Sequence, residues 1–332
     1  MPLIVLLLLG SMVVIVGACE LFVNSVEWLG KRLGLGEGVV GSILAAVGTA
    51  LPETILPLVA ILLVGGEEGN KVGIGAILGA PFMLSTAAFF ATGTAVLIFT
   101  ARGRRKNNMN VNATILGRDM RFFLIVYAIA IAAAFLPAHS LKLGMAILLL
   151  GLYAYYVYRT FRDDASLGGE DLAPLYFARR SPLPPLILVV AQLLIALAVI
   201  ILGARVFVTG IEAAAQALGV PALILSLIIA PLATELPEKV NSVLWVRRSK
   251  DTLALGNISG AMVFQGCIPV AVGLVFTPWE LTPPALASAA IAILSTGLVY
   301  TTLRRRQVLS PYVLLMGGLF YLAFIGYVVF LN

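Results

Sequence analysis

The sequence predicts an all-α polytopic membrane protein. Of its 332 residues, 61% are hydrophobic and 11% are charged, whereas about 25% of the residues in an ordinary soluble domain carry charge. The apolar runs are about 20 residues or longer and show no alternation with a period of two, which indicates spanning helices rather than a barrel. The ten expected spans lie near residues 3–30, 38–65, 72–100, 120–137, 141–161, 184–210, 221–246, 253–276, 284–303 and 309–331.

Lysine and arginine residues are distributed unequally between the predicted loops. With these ten spans, 18 of the 22 lie on one side of the membrane. Only Lys71, Lys142 and Arg205 lie on the other side, and Lys239 lies within a span. Cytoplasmic loops carry an excess of such residues, so we place the basic loops in the cytoplasm and both termini outside. The basic charge is then an orientation signal, and we expect no nucleic-acid partner; binding of these loops to anionic lipid or RNA is the lesser alternative.

A polar segment, residues 163–182, separates two comparable halves and is predicted to be a cytoplasmic linker. The halves, residues 1–162 and 183–332, contain five spans each. Because five is odd, the second half is predicted to lie in the membrane upside down relative to the first. Inverted repeats whose broken helices meet near the midplane are the architecture of many secondary transporters.

Each half contains a proline and a glutamate in the middle of an apolar run. Residues 48–53 read Gly-Thr-Ala-Leu-Pro-Glu, and residues 233–238 read Ala-Thr-Glu-Leu-Pro-Glu. A carboxylate at the bilayer centre costs roughly 2.5–3.5 kcal/mol, so Glu53 and Glu238 are expected to face a cavity, a partner or an ion. Proline should break helices 2 and 7 and free backbone carbonyls there. Carboxylates together with carbonyls are ligands for a hard cation.

Other features support a binding protein rather than an enzyme. The span after each motif carries a glycine pair, Gly75 with Gly79 and Gly256 with Gly260, and we expect these pairs to pack spans three and eight tightly against the site. The chain has no HExxH motif and no serine with a histidine partner, so an intramembrane enzyme is not expected. The two cysteines are expected to be small core residues. No cofactor is predicted apart from the transported ions.

The two motifs resemble the alpha repeats of the sodium/calcium exchangers, in the calcium:cation antiporter superfamily. Gly17, Ala18 and residues 39–53 are similar to the first repeat, and residues 233–238 followed by 256–260 are similar to the second. The resemblance implies ten helices in two inverted sets of five, with spans 2, 3, 7 and 8 around the ions. It also implies antiport of calcium for sodium or protons, with Glu53 and Glu238 as central calcium ligands and Thr49 and Thr234 as further oxygen ligands.

The chain departs from the family pattern at several ligand positions. Ala50 and Glu235 stand where the family usually has serine. After the glycines of spans three and eight, one amide, Gln265, remains of the four polar positions in the pattern. We expect Gln265 to be a ligand, but the missing groups argue against binding three sodium ions in the family manner. They leave open a divergent homologue that acts as a uniporter, a sensor or a carrier of another cation.

The second motif carries additional charges. Glu235, Glu238 and Lys239 lie at helical spacings of three and four, so Glu235 is predicted to pair with Lys239 while Glu238 faces the site. Asn241 and Ser242 extend the polar face. We hypothesise that Glu235 and Lys239 stand where exchanged sodium would otherwise bind, either as a fixed counter-charge or as a proton-titrating group. The alternative is that they only neutralise each other inside the bundle.

Overall fold

The computed structural model describes residues 2–33, 53–163 and 173–331, and these residues form an all-helical bundle. The helices are α1 (Pro2–Arg32), α2 (Glu53–Val64), α3 (Gly66–Ala101), α4 (Ala113–Ala132), α5 (His139–Asp163), α6 (Leu186–Leu218), α7 (Ala222–Thr234), α8 (Leu236–Arg247), α9 (Asp251–Phe276), α10 (Pro283–Arg306) and α11 (Pro311–Leu331). Wide π-helical turns occupy the second half of α2 and residues Leu84–Ala88 of α3.

Seven of the described helices are long and apolar enough to cross a membrane: α1, α3, α5, α6, α9, α10 and α11. Many of their leucines and isoleucines face outwards, such as Leu6 of α1 and Ile187 of α6, which are 67% and 74% exposed. Side chains of this kind favour contact with lipid over contact with water. These helices therefore agree with the prediction of a multi-pass, all-α membrane protein.

The helices pack around two apolar cores, and α2 and α7 contribute to both of them. The larger core draws on α3, α4, α5 and α8–α11 and includes Phe82 and Phe123. The smaller core lies along α1 and α6, which pack closely against each other over much of their length. In α2, Leu56 belongs to the smaller core and Ile61 to the larger; in α7, Ala230 belongs to the smaller and Leu227 to the larger. The start of α2 and the end of α7 thus lie between the two packed bodies.

The glycine pair of α3 allows this helix to approach α7 closely, as predicted. A Cβ added at Gly75 would lie 2.5 Å from the Leu223 carbonyl oxygen, and one added at Gly79 would lie 2.7 Å from Pro231 Cγ. Among the described residues, no atom lies within 4 Å of a Cβ built on Gly256, and one built on Gly260 meets only the Tyr156 hydroxyl, at 3.9 Å. Close packing at the glycines of α9 therefore stays a prediction.

Loops that the charge pattern assigns to the same side of the membrane contact one another. The loop after α3 binds the start of α9 through Arg105 and Asp251, whose side chains are 1% and 2% exposed and lie 2.6 Å apart. The same loop forms an antiparallel bridge from Met109 to Leu309, in the loop after α10. At the opposite end of α9, Trp279 Nε1, in the loop that follows, donates to the Ala130 carbonyl near the end of α4. The loops after α3 and α10 therefore lie at one end of the bundle and the loop after α9 at the other.

The described part of the predicted linker is fastened to both α1 and α6. On α1, Trp28 Nε1 donates to the Ala173 carbonyl over 2.8 Å, and Asn24 Nδ2 donates to the same carbonyl over 3.2 Å. On α6, the Gln192 carbonyl oxygen accepts from Phe177 N, and its amide donates to Asn24 Oδ1 over 3.1 Å. We call these contacts the linker clasp.

Candidate functional site

The second motif interrupts a helix at Glu235. Helix α7 ends at Thr234, Glu235 has φ −95° and ψ 9°, and α8 begins at Leu236. Pro237 lies in the first turn of α8, where its missing N–H has no helical acceptor to lose. The interruption predicted for the seventh span is therefore observed. Residues 34–52, which include Thr49 and most of the first motif, lie outside the described residues.

A narrow crevice lies beside this interruption. Glu53, the first described residue of α2, lies in it and is only 4% exposed. The crevice is lined by Glu53, Leu56 and Pro57 of α2, Ala76 of α3, and Ala230, Pro231 and Thr234 of α7. A buried carboxylate costs several kcal/mol unless it is paired, hydrogen-bonded or bound to a metal ion. The Glu53 carboxylate and the end of α7 therefore lie together in a mostly apolar crevice.

Of the predicted oxygen ligands, Glu53 and Thr234 line the same crevice. Thr234 is 5% exposed, and its hydroxyl donates to the Ala230 carbonyl over 3.3 Å. A hydroxyl that donates one hydrogen bond keeps lone pairs with which it can bind a cation. Glu238 and Asn241 lie in α8, but their side chains are outside the described set. Within the described residues, no three His, Cys, Asp or Glu side chains form a metal-binding group.

Glu235 and Lys239 form the predicted ion pair. The Lys239 ammonium lies 3.1 Å from Glu235 Oε2, with side-chain exposures of 12% and 0%. Lys239 Nζ also donates to the Pro231 carbonyl oxygen over 3.4 Å. Since Pro231 lines the crevice, the Lys239 ammonium contacts the backbone of a residue that lines it.

Gln265 and Ser242, the two remaining predicted polar groups, differ in their surroundings. Gln265 of α9 is completely buried, and its amide nitrogen and oxygen have no hydrogen-bond partner among the described atoms. Such a group costs about 1–3 kcal/mol, as expected of a side chain kept for a ligand. Ser242 instead donates to the Ala254 carbonyl over 3.0 Å and joins α8 to α9. It is not among the residues that line the crevice.

The structure also reveals a buried acidic group that the sequence reasoning missed. Asp119 of α4 is 3% exposed, accepts from Ser259 of α9 over 3.0 Å, and lies 3.2 Å from Arg118 Nε. Ser259 belongs to the segment 256–260 that follows the second motif. The sequence signal was a single acidic residue between Arg118 and Arg121, which no motif singled out.

A family model described as "Sodium/calcium exchanger protein" matches residues 3–162 and 188–331. The chain is 26% identical over 323 residues to the inner membrane protein YrbG of Escherichia coli, covering 94% of this chain and 93% of YrbG. It is 25% identical over 333 residues to the putative antiporter CaxA of Alkalimonas amylolytica, with 96% and 95% of the two chains covered.

Two solved structures share the fold at 18% sequence identity. The H⁺/Ca²⁺ exchanger CAX superposes with a TM-score of 0.74, covering 98% of this chain and 82% of the other. The sodium-calcium exchanger NCX_Mj superposes with a TM-score of 0.59 and 98% coverage of both chains. The match of the family model across both halves shows what the motifs suggested: the chain belongs to the sodium/calcium exchanger family, whose members are membrane transporters and not enzymes.

Proposed function

We propose that this protein is a secondary antiporter that exchanges a divalent cation, calcium in the first place, for a monovalent cation, sodium or a proton. The observation that carries the proposal is the buried Glu53 carboxylate in a crevice formed with the end of α7. This crevice joins the two halves of the chain, because α2 and α3 belong to the first and α7 to the second. A site built from both halves is one that their relative movement would expose to either side in turn.

We further propose that the chain spans the membrane ten times, as two inverted repeats of five. The first repeat would be residues 1–162, the linker residues 163–182 and the second repeat residues 183–332. The ordering of loops at the two ends of the bundle supports this course, and so does the interruption at Glu235. The excess of basic residues supports a cytoplasmic linker with both termini outside.

The proposed calcium ligands are oxygens from both motifs. Calcium takes about six to eight oxygens, and one carboxylate and one hydroxyl, those of Glu53 and Thr234, already line the crevice. We propose that Glu238, Thr49 and Gln265 complete the set with backbone carbonyls and water. The fully buried amide of Gln265, which has no hydrogen-bond partner among the described residues, supports its inclusion.

Calcium flux into proteoliposomes tests this function. Purified protein would be reconstituted, and calcium entry would be followed with an enclosed indicator under imposed sodium, proton or potassium gradients. We expect an opposing gradient of sodium or protons to accelerate entry. Glu53→Gln should abolish entry, because it removes the buried charge that balances the divalent ion. Glu67→Gln, which changes a side chain that is 82% exposed, should leave the flux unchanged.

Two outcomes would contradict antiport. Calcium entry that follows only the membrane voltage, with no acceleration by a counter-ion gradient, would identify a uniporter. Calcium binding without flux under any gradient would identify a sensor or a degenerate carrier.

A further inference from the structure

The Lys239 ammonium occupies a position with the ligands of a monovalent cation. It contacts a carboxylate oxygen of Glu235 at 3.1 Å and the carbonyl oxygen of Pro231 at 3.4 Å. The Pro231 carbonyl lies at the end of α7 and already accepts from Glu235 N over 3.1 Å. Carboxylate and carbonyl oxygens at a helix interruption are the groups that coordinate sodium in membrane transporters with broken helices.

The pair is also placed where charge is expensive. The Glu235 side chain is completely buried, and this part of the chain crosses the apolar core of the bundle. A carboxylate there requires a neighbouring positive charge. In this chain a residue four positions along the same helix supplies that charge, so no dissolved cation has to do so.

We propose that Lys239 is a tethered cation that fills a monovalent-cation site formed by Glu235 and the Pro231 carbonyl, so that removing the ammonium opens this site to sodium. The inference refines the proposed function: it makes transport in the natural protein independent of sodium at this position. In this proposal Lys239 is a fixed counter-charge and does not act as a proton-titrating group. Sodium binding at this site in a variant without the ammonium can be measured whether or not the protein transports calcium.

The experiment compares the thermal unfolding of purified variants in sodium chloride and in N-methyl-D-glucamine chloride at equal ionic strength. A ligand that binds only the folded state raises the melting temperature. We expect Lys239→Ala to melt lower than the natural protein in the organic salt and to regain several degrees in sodium. The natural protein and Lys239→Arg keep a tethered charge, so each should gain less from sodium than Lys239→Ala does, and the two should gain equally.

Two controls separate a specific site from general effects of salt. Lys71→Ala removes a lysine from an exposed pair with the same spacing, in which Nζ lies 2.8 Å from Glu67 Oε1, and it should gain no more from sodium than the natural protein does. The double variant Glu235→Gln with Lys239→Met removes both charges of the pair. It should fold without sodium and gain no more from it than the natural protein does, because the acidic ligand is absent.

The melting temperatures can support the proposal or contradict it. Stabilisation of Lys239→Ala by sodium that is lost in the double variant supports the proposal. If Lys239→Ala melts at the same temperature in both salts, the proposal is wrong. It is also wrong if sodium stabilises the natural protein and Glu235→Gln abolishes that stabilisation, because sodium would then bind at Glu235 while Lys239 is present. If Lys239→Ala does not fold in the organic salt, recovery of folded protein on purification in sodium provides the same test.

Calcium flux distinguishes this proposal from the proposed function. If sodium stabilises Lys239→Ala but the natural protein moves no calcium, the antiport proposal is wrong and the proposal for Lys239 is supported. If the natural protein exchanges calcium but sodium does not stabilise Lys239→Ala, antiport is supported and the proposal for Lys239 is wrong.

Discussion

Replacing Gly79 by alanine should push α7 away from α3 and distort the crevice. The added Cβ would overlap the Leu227 carbonyl oxygen and lie 2.7 Å from Pro231 Cγ. Favourable contacts between carbon atoms begin near 3.5 Å, so α7 would have to retreat by roughly 1 Å. Overpacking of this kind costs about 1–3 kcal/mol. Because Pro231 lines the crevice and accepts from Lys239, the displacement should also weaken calcium binding.

Gly256→Ala on α9 is the matched control. No described atom lies within 4 Å of its added Cβ, so the substitution should only gain helix propensity, up to about 1 kcal/mol. Both variants gain the same helix propensity, so we expect them to differ by the overpacking cost, about 1–3 kcal/mol in the free energy of unfolding measured in detergent, with calcium affinity reduced only in Gly79→Ala. Equal stability and equal affinity would refute the close approach of α3 to α7 as the feature that shapes the site.

Two further predictions concern buried polar groups. Gln265→Leu removes an amide that has no hydrogen-bond partner among the described residues, so the variant should be more stable by about 1–3 kcal/mol without calcium. It should also bind calcium at least about ten times more weakly, and unchanged affinity would exclude Gln265 as a ligand. Asp251→Asn breaks a fully buried pair and leaves Arg105 uncompensated, which should cost about 3–5 kcal/mol, whereas Lys71→Ala breaks an exposed pair and should cost at most about 1 kcal/mol. Equal losses in these two variants, measured by unfolding, would contradict the burial of Arg105.

Local patterns in the sequence predicted local features correctly. The spacing of Glu235 and Lys239 was sufficient to predict their pair, because residues four apart share one face of a helix. The Leu-Pro-Glu pattern indicated where the seventh span breaks. Glycine spacing predicted the close packing of Gly75 and Gly79 against α7, whereas no helix among the described residues approaches Gly256 or Gly260 as closely. A glycine allows another helix to pack closely, but whether one does depends on which helix lies beside it.

The features that the sequence did not predict depend on contacts between distant segments. Arg105 and Asp251 are 146 positions apart; Arg105 entered the sequence analysis only as one of the basic loop residues, and no pattern singled out Asp251. Trp28, Asn24 and Gln192 lie in apolar runs without a motif, and their contacts with the linker appear only once α1 and α6 are paired. No periodic pattern identifies such partners, because periodicity describes a helix face and not what lies opposite it.

The contacts among Arg105, Asp251, Met109 and Leu309 restrict how the helices could move at that end of the molecule. They join the loop after α3 to the start of α9 and to the loop after α10, so separating α3 from α9 there would expose a buried charge. The linker clasp joins α1, α6 and the linker to one another. A movement of α1 and α6 relative to these joined loops would therefore leave both sets of contacts intact, and the linker would move with the two helices.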